Sequence, residues 1–343
     1  MESYLNTLLA GLNLPVILGL MAVFMVMLGK GADLLVDEAV GLARKWGMPQ
    51  LIIGATVVSL GTTLPEAAVS VYAAVSGNPG IALGNAVGSI ICDTGLVLGL
   101  ATLVAPPSLN SVFIHRQGWL QLGAGMLLVI ACVPPFSVQS VFVHGGVMPQ
   151  FMGMVFLFLL GLYIWMSMKW MGKEPRDGDS PSISDTPPRQ GVVSLFRFVG
   201  AVTLILVSSR LLIPTVQTCA LRIGVPESIV GATIVALGTS LPELVTALAA
   251  VRKGHGKLAV GNVIGADILN VLFVAGAAAT VTRGGLDTPA YFFQYLFPAM
   301  LLVLIIFRAG VLFSNGRLGR PVGAMLLSVY LLSAFVSYAH SLA

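Results

Sequence analysis

The chain is predicted to be an all-α polytopic membrane protein, with ten transmembrane helices arranged as two inverted-topology repeats of five. Three observations predict this: scarce charge, the length and number of the apolar runs, and a segment of about 40 residues that occurs twice. Of 343 residues, 57% are apolar and 9% are Asp, Glu, Lys or Arg, where a soluble domain carries about 25% charged residues. Thirty-two charged side chains cannot cover a water-soluble body of 35.8 kDa, and a mean hydropathy of +0.94 makes lipid the solvent of most of the chain. At about 20 residues per span, the length admits about ten helices and leaves no room for a large extramembrane domain. The net charge of +4 needs no nucleic acid, since membrane proteins concentrate Lys and Arg in cytoplasmic loops. Cys92, Cys132 and Cys219 lie in apolar stretches without metal or disulfide spacing, so they read as buried free thiols. The first 15 residues lack the basic region of a cleaved signal, and the first apolar run is expected to be retained as a span.

Apolar runs place spans at 14–36, 50–75, 80–104, 118–135, 150–171, 192–213, 227–251, 258–281, 290–310 and 321–341. The one long polar break, residues 173–191, is rich in Pro, Ser and Asp and cannot build a core. It reads as a cytoplasmic linker between a first half, residues 1–172, and a second half, residues 192–343. An offset of 177 aligns residues 54–93 with 231–270 without a gap and with 17 identities. Pro65 with Pro242, Glu66 with Glu243, and Asn85 with Asn262 coincide. Hydrocarbon does not favour these residue types, so shared apolar composition does not explain the match.

Charge sets the orientation. If loops alternate sides, fourteen of the eighteen basic residues, from Arg44 and Lys45 to Arg317 and Arg320, fall on one side, and Arg222 and Arg283 on the other. The basic side is expected to be cytoplasmic, with both termini outside and the linker inside. An odd number of spans per half then inverts the second copy. Inverted repeats are typical of alternating-access transporters, whose site lies at the repeat interface near the midplane.

Among fourteen acidic residues, Asp33, Glu66, Asp93, Glu243 and Asp267 fall within spans, where each needs a partner or a purpose. Glu66 and Glu243 sit in G-T-[TS]-L-P-E, where proline withholds a backbone N–H and frees a carbonyl about one turn earlier, near Gly61 or Gly238. Thr62 and Thr63, matched by Thr239 and Ser240, share a helical face with these glutamates. Asp93 and Asn270 close the two copies. Carboxylates, an amide, hydroxyls and unpaired carbonyls form an all-oxygen set that suits a hard cation such as calcium, whereas a soft metal would call for Cys or His. Three carboxylates exceed the charge of one divalent ion, so exchange against other cations is the natural mode. Asp33 shares a helix face with Lys30, which makes a structural pair at least as good a reading as function. Asp267 has no acidic mate, since Ile90 stands there, and its role as a ligand is left open. An intramembrane hydrolase is the competing class, but an enzyme has no need of the motif twice in opposite orientations, and no water-activating metal cluster is evident.

At these motifs, G-T-T-L-P-E with G-N-A-V-G-S-I-I-C-D and G-T-S-L-P-E with G-N-V-I-G-A-D-I-L-N, the chain resembles the cation/calcium antiporter superfamily of the sodium/calcium exchanger kind. The resemblance implies an antiporter rather than an enzyme, in a bacterial or archaeal inner (cell) membrane, with calcium and sodium as transported ions. It implies no resident cofactor and no obligatory protein partner. Ion sites would be formed by the second, third, seventh and eighth helices. Glu66 and Glu243 would be the central calcium ligands, joined by carbonyls of Thr62 and Thr239. Sodium would be held by hydroxyls of Thr63, Ser89 and Ser240 and carbonyls of Ser59 and Ala236. The long first and sixth helices would slide across this core.

The chain departs from the family pattern in three ways. Asp93 and Asn270 exchange the usual Asn and Asp. G-S-N of the second repeat has become Gly265, Ala266, Asp267, which deletes a hydroxyl and leaves proton or potassium involvement open. The linker is too short to fold into a calcium-sensing domain.

Overall fold

The computed structural model describes residues 9, 11–109, 112–134, 140–170, 191–223, 236–314 and 316–341. Within them ten helices follow one another, with a further single turn at Val141–His144, and the all-α expectation holds. The first half comprises α1 (Leu14–Trp46), α2 (Gln50–Val75), α3 (Pro79–Val104), α4 (Val112–Cys132) and α5 (Gln150–Trp170). The second comprises α6 (Gly191–Arg222), α7 (Ala236–Thr239 and Leu241–Arg252), α8 (Gly256–Val281), α9 (Phe292–Leu312) and α10 (Arg320–Ser341). The expected linker falls almost wholly on residues 171–190, and the first five residues of the second repeat copy on 231–235; both stretches lie outside the described residues.

Three expected boundaries are corrected. Helix α1 runs ten residues beyond 36, because the acids of its second half are satisfied by basic side chains from other elements, and it ends only where Gly47 takes a φ of 63°. Helix α4 begins at Val112 rather than 118; its first turn carries Arg116, whose guanidinium stacks on Trp170 at 5.5 Å. Helix α6 continues through Pro214 to Arg222, where an end at 213 was expected. A membrane helix tolerates such a proline where side chains satisfy nearby backbone groups, and Thr218 Oγ1 donates to Pro214 O at 2.8 Å.

The two halves meet twice, in mirrored fashion. On one face the short strands β1 (Gly146–Met148) and β2 (Leu286–Thr288), from the α4–α5 and α8–α9 loops, pair antiparallel with Val147 opposite Asp287. On the other face the repeat mates of those loops make a β-bridge between Ser108 and Arg317. There Leu109 N–H donates to Gly316 O at 2.8 Å and Leu318 N–H to Pro107 O at 3.0 Å. Helix pairs obey the same operation. A Cβ on Gly99 of α3 would lie 3.1 Å from Gly323 O of α10, and one on Gly276 of α8, 177 residues later, 3.4 Å from Gly153 O of α5. An inverted repeat is thus written into the packing as well as into the sequence.

Helix α8 is the most enclosed element: every residue from Leu258 to Leu272 is buried. Helices α1 and α6 lie outside this core and pack mainly on each other, and α1 turns residues such as Val26, 62% exposed, to the lipid. Ion pairs tie α1 to its neighbours at one end. Arg197 meets Glu38 at 3.3 Å, and Lys253, from the α7–α8 loop, meets Asp37 at 2.8 Å and Asp33 at 3.6 Å. The partner of Asp33 is therefore Lys253, and its structural role stands although Lys30 does not supply it.

Helix α8 approaches α2 so closely that a methyl group on Gly265 would collide with the Ala55 carbonyl and lie 2.6 Å from Ser59 Oγ. Overpacking of this kind costs about 1–3 kcal/mol. Gly265→Ala is expected to lower the unfolding midpoint of the detergent-solubilised protein by several degrees. Gly123→Ala, at an exposed site on α4 with no described residue within 4 Å of the new methyl, should leave it unchanged or slightly raised.

Candidate ion-binding site

On α2 the residues at helical spacing Ser59, Thr62, Thr63, Glu66 and Ser70 are all buried. The upstream part of this helix, Gly54–Val58, is a π-helical turn. Pro65 sits inside the following α-helical stretch, which stays continuous. In the second copy the chain does break: Ser240 separates two helical pieces at φ −88° and ψ 7°, and Pro242 opens the second, beside Glu243. A break therefore accompanies one of the two prolines and not the other.

The third and eighth helices contribute from matched positions. Each carries a π-helical turn, Cys92–Val97 in α3 and Asn270–Ala275 in α8. These turns begin at or one residue before Asp93 and Asn270. A π turn leaves main-chain groups off the regular ladder and commonly marks functional positions. Asp93 and Asn270 are repeat mates and they touch: Asn270 Nδ2 donates to Asp93 Oδ2 at 3.4 Å, so the pseudo-twofold axis passes between them.

Around this axis Glu66 faces Glu243 and Asp93, the Thr62 and Thr63 hydroxyls face Glu243, and Ser240 faces Asp93. Glu66, Asp93 and Glu243 are each 1% exposed, and Asp267 2%. Both carboxylate oxygens of Glu66 and of Glu243, Asp93 Oδ1, Asn270 Oδ1 and the hydroxyls of Thr63, Ser89 and Ser240 have no hydrogen-bond partner among the described residues. The ion pairs among the described residues involve only Asp33, Asp37 and Glu38, and the buried Arg308 of α9 stacks on Trp119, so no described basic side chain lies within ion-pair distance of the buried acids. Buried ionisable groups are normally paired. Their arrangement is that of a receptor for positive charge. Among the described residues no three His, Cys, Asp or Glu side chains close on a single point as a metal shell. The carboxylates stand within electrostatic range of one another, with hydroxyl, amide and backbone oxygens between them.

Other expected site residues have local tasks. Thr62 Oγ1 donates back to Val58 O and Ser59 O, each at 3.3 Å, and Ser59 Oγ donates to Thr56 O at 3.3 Å. Thr239 is half-buried, and Ala236 lies in the described helical piece Ala236–Thr239 of α7. Asn85 braces the first glutamate, donating to Glu66 O at 3.3 Å and Ser70 Oγ at 3.0 Å. Its mate Asn262 is buried with neither side-chain polar atom partnered among the described residues.

Sequence reasoning missed the contribution of α4. Gln121 Nε2 reaches Asp267 Oδ2 at 2.5 Å and Thr94 Oγ1 at 3.1 Å, while Thr94 Oγ1 itself donates to Asp267 Oδ2 at 2.5 Å. Gln117, one turn earlier, donates to Ser167 Oγ of α5 at 3.3 Å. On the same helix Tyr163 donates to Ala55 O, within the π turn of α2, at 3.2 Å. Two glutamines four residues apart in an apolar span were the available signal.

A family model described as sodium/calcium exchanger protein matches residues 16–169 and 193–339. The inner membrane protein YrbG of Escherichia coli is 38% identical over 300 residues, covering 86% of this chain and 88% of that protein. The sodium/calcium exchanger MaX1 of Methanosarcina acetivorans is 29% identical over 310 residues, covering 82% and 88%. Structures of the sodium-calcium exchanger NCX_Mj superpose with a TM-score of 0.75 at 26% identity, over 94% of this chain and 98% of that one. With a matched fold, a duplicated acidic motif and a family match in both halves, this integral membrane chain belongs to the sodium/calcium exchanger protein family.

Proposed function

We propose that the protein is a secondary active antiporter that exchanges calcium for sodium by alternating access at the site between α2, α3, α7 and α8. The observation that carries this reading is the set of three buried, basic-free carboxylates, Glu66, Glu243 and Asp93, drawn from both inverted copies, with five of their six oxygens unpartnered among the described residues. A hard divalent cation takes about six to eight oxygens in flexible geometry. Glu66 and Glu243 are its central ligands, with Asp93, Asn270 and the backbone carbonyls of Thr62 and Thr239 completing the shell. The hydroxyls of Thr63, Ser89 and Ser240 and the carbonyls of Ser59 and Ala236 serve sodium when the divalent ion has left. Competition for the same carboxylates couples the two fluxes, because the empty site is costly to carry across the membrane.

The basic face, which holds Lys253, Arg197 and the Ser108–Arg317 bridge, is cytoplasmic in this reading, and both termini are outside. Residues 1–172 and 192–343 act as the two halves, joined by the linker 173–191. Helices α1 and α6 move as a pair across the core. The ion pairs that hold α1 at its cytoplasmic end involve side chains 28–63% exposed at Lys253, Asp33 and Asp37, and such pairs are weak enough to break in each cycle. A second reading, exchange of calcium against protons, is favoured by one feature: Ala266 places an apolar, fully buried side chain where the family has a hydroxyl.

In proteoliposomes, calcium uptake is expected under an outwardly directed sodium gradient and not under a proton gradient alone; the reverse pattern selects the second reading. Glu66→Gln and Glu243→Gln are each expected to reduce this uptake to the level of empty vesicles, and normal uptake by either variant refutes the site. Asp93→Asn removes a ligand charge and should weaken calcium binding on the order of tenfold or more, whereas Asn270→Ala should have the smaller effect. Calcium titrations of the purified variants check the order, and equal or reversed effects contradict the transfer of charge to the first repeat.

A further inference from the structure

Among the described residues one base is enclosed, and the exchange site makes no use of it. Arg308 of α9 is 4% exposed, and its Nε and Nη1 have no hydrogen-bond partner among the described residues. No described acid lies within ion-pair distance of it. Its guanidinium rests against α4, over the position where Gly118 has no side chain: a Cβ there would lie 3.2 Å from Nη1 and 3.6 Å from Cδ. The Trp119 ring covers it, with the guanidinium carbon 4.3 Å from the ring centroid. The amide of Gln117, next in the chain to Gly118, is turned instead to Ser167 of α5. A ring face attracts the positive charge but gives the N–H groups no oxygen to donate to, and a buried guanidinium is normally paired with an acceptor. Donors enclosed without an acceptor point to a ligand.

The position of Arg308 says which kind. It lies four residues before the end of α9 at Leu312, on the basic face, where the loop that follows makes the Ser108–Arg317 bridge. Four residues of helix rise about 6 Å, which sets the guanidinium at the boundary between headgroups and acyl chains. Trp119 is 55% exposed, and Met126 and Ile130 continue its exposed stripe along α4. A ligand that reaches Arg308 past this ring comes from the lipid. Two more cation–aromatic pairs stand at the same ends of α4 and α5, Arg116 on Trp170 at 5.5 Å and Lys169 on Trp165 at 3.8 Å. Both of these bases are exposed, and no described acid pairs with either. Basic pockets between transmembrane helices suit anionic headgroups, and a guanidinium suits phosphate. We infer that the ends of α4, α5 and α9 on the basic face bind an anionic phospholipid. Trp119 turns aside to admit the phosphodiester to Arg308, Arg116 and Lys169 stand at the rim, and an acyl chain lies along the exposed stripe of α4. Three bases without a local acid favour a headgroup of net negative charge over one that carries its own ammonium. This site lies outside the four helices of the exchange site and does not depend on which ions are exchanged there.

The test is lipid binding to the purified, detergent-solubilised full chain, followed by native mass spectrometry with phosphatidylglycerol and phosphatidylcholine of identical acyl chains. The parent protein is expected to bind one phosphatidylglycerol on the order of tenfold more tightly than phosphatidylcholine. Arg308→Met, which keeps the bulk and removes the charge, should bring the two lipids level, while Arg116→Gln combined with Lys169→Gln should keep most of the preference. Inorganic phosphate at millimolar concentration should not displace the lipid. A second measurement needs no change at Arg308 and decides the matter if Arg308→Met elutes aggregated from a sizing column. Phosphatidylglycerol with brominated acyl chains should quench the tryptophan fluorescence of the parent more than brominated phosphatidylcholine does, and the excess should vanish in Trp119→Phe. The inference is overturned if the parent binds both lipids alike, if Arg308→Met keeps the preference, or if the double substitution at the rim alone abolishes it. Displacement by phosphate would make this a site for a soluble anion and overturns it too. Excess quenching that is absent from the parent, or that persists in Trp119→Phe, places the lipid elsewhere and has the same consequence.

Discussion

Negative charge buried without a protein partner is the constraint on which this molecule turns. A carboxylate moved from water into a protein interior loses solvation worth several kcal/mol even after relaxation, and a membrane interior offers no bulk water to restore it. Folded proteins usually meet this cost with an arginine or lysine nearby. Here the described basic side chains that pair with acids do so at the end of α1, with Asp33, Asp37 and Glu38, while Glu66, Glu243 and Asp93 face one another. In the proposed function, what completes the site is a positive ion from solution. Oxygen-only chemistry narrows the visitor to a hard cation.

The inverted architecture is the means by which the acids are brought together. Residues 177 apart meet across the pseudo-twofold, as Asp93 and Asn270 do, so one duplicated motif supplies both walls of one site. The same operation relates the β1–β2 pair on one face to the Ser108–Arg317 bridge on the other. Small residues let α8 lie against α2 and α5 at backbone distance, which leaves the site's polar groups little room to relax away from one another. Symmetry is broken where chemistry asks for it. The first copy carries the aspartate, the second copy carries the helix break at Ser240, and Gln121 reaches across to Asp267. Around this centre, α1 and α6 pack more on each other than on any other helix.

Much of this was legible in the residues. Glu66, Glu243, Asp93 and Asn270 could be singled out because hydrocarbon penalises them and because they recur at one offset; both signals are local and survive without coordinates. Cys92, Cys132 and Cys219 are free and buried, as apolar surroundings without spacing suggested. Less legible were contacts that depend on how distant helices face. Gln121 lies 146 residues from Asp267, and nothing in an apolar run says which way its few polar side chains turn. Helix α1 outran its expected end because apolar periodicity stops at the first acids, while the helix continues once Lys253 and Arg197 satisfy them. The π turns at Asp93 and Asn270 have no propensity signature, since they are set by packing rather than by residue type. Proline misled twice, at Pro65 and at Pro214, where helices continue that an isolated chain would end.

In the proposed function these acids are a receptor for calcium and not a structural cluster. Equilibrium binding of radioactive calcium to the purified protein, in buffer whose other cation is too large to enter, tests it most directly. Saturable binding is expected, falling to background when Glu66 and Glu243 are both changed to Gln in a protein that remains monodisperse. Saturable binding that survives the double substitution, or none in the parent protein, would contradict it.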